Sequence, residues 1–342
     1  MVLFTDLKGL ITTLEVLDSS KIKAIVAASI RPQYFGKLEK ISKSLSIPFL
    51  IQPRTTENGY LSFKEKLIEL ESNFFFINSY SMILGQDLLQ IPRIQALNIH
   101  YSLLPKNRGS NPIQWGIIKG DKYAGVTLHE VNKGIDTGPI IDQRKTPIFF
   151  QDTWLTISQR IDSLAKELIS AYLTNDLHEK ISSVSQKSVF EKNKRRSPND
   201  GKIEWTMPVI DIYNLIRSLV SPLPGAFYID GKKKVIIHEF KSINEVVELK
   251  YLKNLNDFSI LKNITMVPKS GKKKFNDEDN HSENILLNAI SKNKILASIE
   301  ILNIDWNKMK CSLGIKGEFN FTPKQILKIK KFISREFKLN IN

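Results

Sequence analysis

The chain has 342 residues, 42% of them apolar, and a net charge of +15. That length exceeds one average core and suits two domains, and no apolar run approaches the roughly 20 residues of a membrane helix. Cys311 is the single cysteine, which excludes an internal disulfide and a cysteine-based metal site. In chain order, residues 21–29, 47–52, 72–80 and 96–100 read as short buried strands. Segments 36–46 and 60–71 between them carry apolar residues at helical spacing. Residues 111–120 read as a helix stopped by Gly120, 124–131 as a further strand, and 153–176 as one long amphipathic helix. This βα alternation predicts a parallel sheet with helices on both faces.

Residues 176–200 are polar and charged with little periodicity, the pattern of a linker. Beyond it, 208–220 reads as a helix with Pro208 near its first turn, and 225–240 as a hairpin turning at Asp230-Gly231. Weaker strand signals lie at 295–302 and 311–316. A last helix spans 321–337, where Thr322 and Gln325 fit a capping box around Pro323. The reading is an α/β domain over 1–175, a linker over 176–200 and a smaller β-rich domain over 201–342. The excess charge sits mainly on lysines scattered among asparagines and acids, which favours solvated faces over a nucleic-acid site. The first residues show neither a basic segment nor a cleavage site, so a cytoplasmic protein without a membrane partner is expected.

The segment NIHYSLLPKNRG, residues 98–109, breaks this regularity. Alternate side chains of a strand share a face, so Asn98 and His100 point one way and Ile99 the other. They stand at a strand's carboxyl end, where open α/β sheets bind ligands. An imidazole can move a proton near neutral pH, and an asparagine N–H can hold a developing oxyanion without adding charge. A carboxylate that orients the ring would complete the set. Asp136, between Gly134 and Gly138, is the best candidate. Singly, each has a plainer role as a satisfied histidine or a turn residue; the pattern of three points to chemistry.

Residues 98–141 resemble the signature of the folate-dependent formyltransferases. Asn98 and His100 match its N-x-H, SLLP follows at 102–105, and Asp136 matches the family aspartate. Similarity to the two-domain members extends to about residue 240, through RRSPNDGKIEW at 195–205 and PLPGAF at 222–227. The resemblance implies a Rossmann-like parallel-sheet catalytic domain followed by an OB-like one. It implies 10-formyltetrahydrofolate as formyl donor, a primary amine as acceptor and no metal. Asn98 would donate to the oxyanion. His100 would take the amine proton or stabilise the oxyanion, and the sequence leaves both open. Asp136 would hold His100 and help relay the proton. Met82, Ile83 and Leu84 would lie against the pterin, with Val131, Gly134 and Ile135 in the opposite wall.

Three branches of the family compete. Glycinamide ribonucleotide formyltransferases share the IDTGPII pattern but have one domain. Methionyl-tRNA formyltransferases have two domains, yet residues 30–48 leave no room for their basic loop, so tRNA is a partner only under that alternative. The formyltransferase domain acting on UDP-amino-arabinose is the most similar. It implies a small nucleotide sugar as acceptor, with Tyr101, Trp115, Ser102, Arg108 and Gly109 as candidate contacts. The aromatic rings would stack on a base, and the Arg108 guanidinium would meet a diphosphate. A homodimer is compatible with this reading. An inactive binding module is the non-enzyme alternative, and the intact Asn98, His100 and Asp136 argue against it.

Overall fold

The computed structural model describes residues 1–174, 179–187, 192–238, 264–265, 285–291, 294–305, 310–317 and 323–341. The chain divides into two compact units. The first comprises residues 1–116, 123–149 and 154–196; the second comprises 117–122, 150–153 and 197–342.

The first unit is built on a seven-stranded sheet of order β3-β2-β1-β4-β5-β6-β7. Its strands are β1 (Val2–Thr5), β2 (Ala24–Ala28), β3 (Phe49–Gln52), β4 (Phe74–Asn78), β5 (Gln95–His100), β6 (Tyr123–Glu130) and β7 (Ile140–Pro147). Strands β1 to β5 pair in parallel. β6 runs antiparallel to β5, and β7 antiparallel to β6. The expected parallel sheet is thus found over β1 to β5, with an antiparallel edge at β6 and β7. The β6–β7 link, residues 131–139, carries no helix and is shorter than the dozen or more residues that a parallel return needs.

Strand alternation sorts the apolar residues onto two faces. Leu3, Ile25, Phe76, Leu97 and Ile99 face one layer, with Leu10 of α1 (Leu7–Leu14), Leu38 of α2 (Phe35–Ser44) and Leu168 of α6 (Trp154–Leu173). Phe4, Val26, Phe75, Ile77 and Ala96 face the other, with Phe63 and Leu67 of α3 (Tyr60–Glu69) and Leu88 of α4 (Gln86–Leu89). Each fully buried Leu or Phe contributes about 1.5–3 kcal/mol by leaving water. Asp6 caps α1 by accepting the Gly9 N–H. A Cβ on Gly9 would stand 2.2 Å from the Asn78 carbonyl, so glycine lets α1 lie directly on β4. α5 (Pro112–Ile118) ends before Gly120, whose φ of +71° suits glycine and matches the expected stop.

The second unit holds α7 (Val209–Arg217), the hairpin β8 (Ala226–Asp230) and β9 (Lys233–Ile237), and α8 (Pro323–Phe337). A five-stranded sheet follows the order β10-β11-β12-β13-β14, its strands being Ile264–Thr265, Ile285–Ser291, Lys294–Asp305, Lys310–Gly317 and Asn340–Ile341. The β-rich character is as expected. Asp230 pairs with Lys233, leaving Gly231 at a φ of +59° in a two-residue turn. The buried Glu336 of α8 accepts the Val209 N–H at the start of α7. The capping threonine expected at Thr322 lies outside the described residues.

The segment expected as a free linker differs. Its described residues 179–187 and 192–196 belong to the first unit and bond to it. Val184 exchanges two backbone hydrogen bonds with Ile140, and Asn193 bridges Gly109. A segment stitched down by backbone and polar side chains has no apolar period by which its sequence would reveal it.

Candidate active site

Ala96, Asn98 and His100 alternate with Leu97 and Ile99 along β5, so both polar residues leave the sheet on the α3–α4 face. His100 is almost fully buried. Its Nε2 lies 3.0 Å from the Asn107 carbonyl and must donate to it, since a carbonyl only accepts. Its Nδ1 faces Asp136 Oδ2 at 3.5 Å. Asp136 has a φ of +53°, the left-handed region that an aspartate tolerates better than most side chains. The Gly109 N–H donates to its Oδ2 at 2.8 Å. Asn98 and His100 thus come together with Asp136 from one strand and one loop.

His129 of β6 is a fourth member that the sequence reading did not find. The antiparallel register sets it directly opposite Asn98. Its Nδ1–H donates to the Glu130 carbonyl at 2.6 Å, so the neutral ring presents a bare Nε2. Asn98 Nδ2 donates to that nitrogen at 2.9 Å. Asp136 Oδ1 lies 3.7 Å from the same atom. Burial pushes the His129 ring down to about 4; the Asp136 carboxylate pulls the other way, and His100 adds to the fall. The amide of Asn98 is thereby fixed with its nitrogen toward His129, and the second N–H of that nitrogen remains to be directed. The signal for His129 was the pairing of β5 with β6, which a single sequence does not display.

The residues expected to line a folate site are placed as follows. Leu84 is buried in the α3–α4 face cluster, and Val131 packs against the same cluster. Ile83 is 69% exposed beside it, and its carbonyl accepts from Gln52. Met82 receives the Ser29 hydroxyl through its sulfur at 3.6 Å. Gly134 donates to Asn132 and packs so closely on Thr137 that a Cβ would meet its Oγ1 at 2.1 Å. Ile135 sits half-buried beside Asp136.

The expected acceptor contacts have other partners. The Tyr101 hydroxyl donates to Asn78 and Asp162, while the Lys8 ammonium stands 5.2 Å over its ring. Tyr101 follows His100 on the strand and so turns to the α1–α6 face, away from the cluster. Its use as a base-stacking platform is corrected to a buried polar network. Ser102 donates to the Lys106 carbonyl within its own loop. Arg108 is 6% exposed and gives Nε and Nη2 to Gln186 Oε1. Gly109 has a φ of +86° and holds Asp136. Trp115 donates its indole N–H to the Lys194 carbonyl, with the Arg196 guanidinium 5.1 Å over its ring. Among the described residues no group of histidine, cysteine or carboxylates is placed to hold a metal, and no helix is long and apolar enough to cross a membrane.

An open, mostly parallel α/β sheet with an Asn–His–Asp cluster at a strand's end, followed in the chain by a β-rich second unit, is a two-part α/β and β architecture with a polar site on the first part. Formyl transferase models match both parts: the formyl transferase domain over residues 7–173 and the formyl transferase C-terminal domain over 195–251. The chain belongs to the formyl transferase family. Over 209 residues it is 35% identical to the bifunctional polymyxin resistance protein ArnA of Wigglesworthia glossinidia brevipalpis. That match covers 61% of this chain and 32% of the relative, so the chain spans about a third of the length of this curated relative. A 4-N formyltransferase from Francisella tularensis has a similar fold, with a TM-score of 0.56 at 19% identity, covering 70% of this chain and 96% of that one. So has WlaRD, a sugar 3N-formyl transferase solved with dTDP and 5-N-formyl-THF, with a TM-score of 0.51 at 20% identity, covering 70% and 87%.

Proposed function

We propose that the chain transfers a formyl group from 10-formyltetrahydrofolate to the primary amine of a nucleotide-linked amino sugar. The observation that carries this is the convergence of Asn98, His100 and Asp136, with His100 Nδ1 facing Asp136 at 3.5 Å. Family membership, the ArnA relative and the sugar formyltransferase of like fold support the donor and the acceptor class. The folate, when bound, supplies a formyl group activated on nitrogen. Leu84, Val131 and the exposed Ile83 would hold its ring. The second N–H of Asn98 would meet the negative charge that builds on the formyl oxygen.

Nε2–H of His100 is anchored on the Asn107 carbonyl, so Nδ1 is its working edge. That nitrogen takes the proton of the attacking amine, and the Asp136 carboxylate beside it stabilises the charged ring. His100 then returns the proton to the leaving nitrogen. This anchoring favours proton relay over direct oxyanion binding for His100. The setting is a small-molecule site without a membrane partner.

The test is a panel of UDP- and dTDP-linked amino sugars, offered with 10-formyltetrahydrofolate to the purified protein, with methionyl-tRNA beside them. Formylation of at least one sugar nucleotide is expected. Formylation of the tRNA alone would replace the sugar reading, and an inert protein would favour a binding module.

A further inference from the structure

Residues 180–187 and 192–196 form a strap over the first unit. Lys180 pairs with Glu130 at 2.9 Å, and the Ser183 hydroxyl donates to the same carboxylate. Further on, the Asn193 N–H donates to the Arg108 carbonyl at 2.9 Å, and its side chain donates to Asn107 Oδ1. Between these anchors stands Gln186, whose amide makes four hydrogen bonds. Its Oε1 accepts from Nε and Nη2 of Arg108. Its Nε2 donates to the Asp136 carbonyl at 3.0 Å and the Gly138 carbonyl at 2.7 Å.

We infer that Gln186 is a positioning residue for formyl transfer, fixing the Asp136 loop to the loop that holds His100; this rests on the function proposed above. At 3.5 Å the His100–Asp136 pair is too long to hold itself together by a hydrogen bond. The separation is therefore set by what grips each side. His100 is gripped by the Asn107 carbonyl, in the loop that also contains Arg108. Asp136 keeps its left-handed backbone, with φ of +53°, only while its surroundings hold it. Gln186 joins the two grips through a single planar amide. Its two ends are not interchangeable: the oxygen meets a guanidinium and the nitrogen meets two carbonyls.

Two variants separate the ends. Gln186→Met keeps the length and loses all four bonds, whereas Gln186→Glu keeps the oxygen toward Arg108 and turns a second oxygen on the carbonyls. Both should lower kcat by roughly 10- to 100-fold, with acceptor KM within about twofold, because an ångström of misplacement costs rate more than affinity. The ¹⁵N resonance of His100 Nδ1, read without any substrate, should move in both variants. Unchanged kcat with only a lower Tm would make Gln186 merely structural and overturn the inference. A raised KM with intact kcat would make it an acceptor contact and overturn it equally. A Gln186→Glu variant at full rate would show that the bonds to the Asp136 and Gly138 carbonyls do not position the pair, and would overturn the inference. Should Gln186→Met fail to fold, Gln186→Glu decides. Were the unaltered protein inert toward every acceptor, the proposed function would fall, while the His100 resonance would still decide whether Gln186 positions the pair.

Discussion

Asn98 carries a carboxamide whose two ends have similar shape and opposite hydrogen-bonding sense, so a neighbour must choose its orientation. His129 makes that choice while neutral, because its Nε2 accepts from Asn98. Protonated, the same atom would repel the amide N–H and turn to Asp136, 3.7 Å away. The folded value of about 4 lies below the ordinary 6.5. Across that interval the unfolded chain binds the proton more readily than the native one. The contribution of His129 to stability is therefore complete above about pH 6.5 and lost as pH falls toward 4. Urea midpoints of the unaltered protein and His129→Gln should diverge in slope over this window, the variant losing less on acidification; parallel slopes would remove His129 from the account. At the triad, His100→Ala and Asp136→Asn should each cut turnover by roughly 10²–10⁴. Asn98→Ala should do likewise through the lost N–H. Steady-state rates at saturating donor measure all three, and a His100 variant near full rate would exclude it from the proton path. These three were legible because strand alternation and a glycine-flanked aspartate leave marks in the sequence. His129 and Gln186 were not, since their partners are fixed by strand register and by a segment without periodicity.

Among the elements, the signature loop and the strap lie in close backbone contact. Gly109 holds a φ of +86°, and a Cβ there would stand 2.7 Å from the Asn193 carbonyl. Gly109→Ala should cost about 1–3 kcal/mol through backbone strain, with a further loss of turnover as Asp136 loses its amide partner. Denaturant titration and kcat measured on the same preparation check it; an alanine variant as stable and active as the original would show that the strap is not pressed on the loop. The buried strands β2, β4 and β5 and the helices α2, α3, α5 and α6 were readable from apolar period; β3, expected as a buried strand, is instead the sheet edge, half-buried with Ile51 exposed. β1 and α1 were passed over: β1 has four residues and runs straight into the Asp6 cap, leaving too short a window for a pattern. The direction of β6 and β7 is not encoded by sequence period, although the short β6–β7 link fits an antiparallel return.

Over the whole molecule, the charge of +15 separates the two acceptor classes by salt dependence. A tRNA contacted through many phosphates would lose about 10³ or more in affinity between roughly 50 and 200 mM salt, whereas a nucleotide diphosphate presents few charges and should lose far less. Acceptor KM of the full chain at two salt concentrations reads this. A shallow response with a sugar nucleotide fits lysines that serve solvation, and a steep one would call for a polyanion partner. The length alone suggested more than one core, whereas the change in composition near residue 176 does not mark the boundary between the units, since residues 179–187 and 192–196 group with the first. The grouping of residues 117–122 and 150–153 with the second unit was not legible, because it depends on contacts between distant parts of the chain. The most direct measurement combines acceptor and site: mass-spectrometric quantification of formylated product from an amino-sugar nucleotide and 10-formyltetrahydrofolate, for the unaltered chain and for Asp136→Asn side by side. The account predicts amine-linked formyl product with the unaltered chain and a loss of roughly 10²–10⁴ in rate with the variant. Undiminished product from Asp136→Asn, or product on methionyl-tRNA and on no sugar nucleotide, would contradict it.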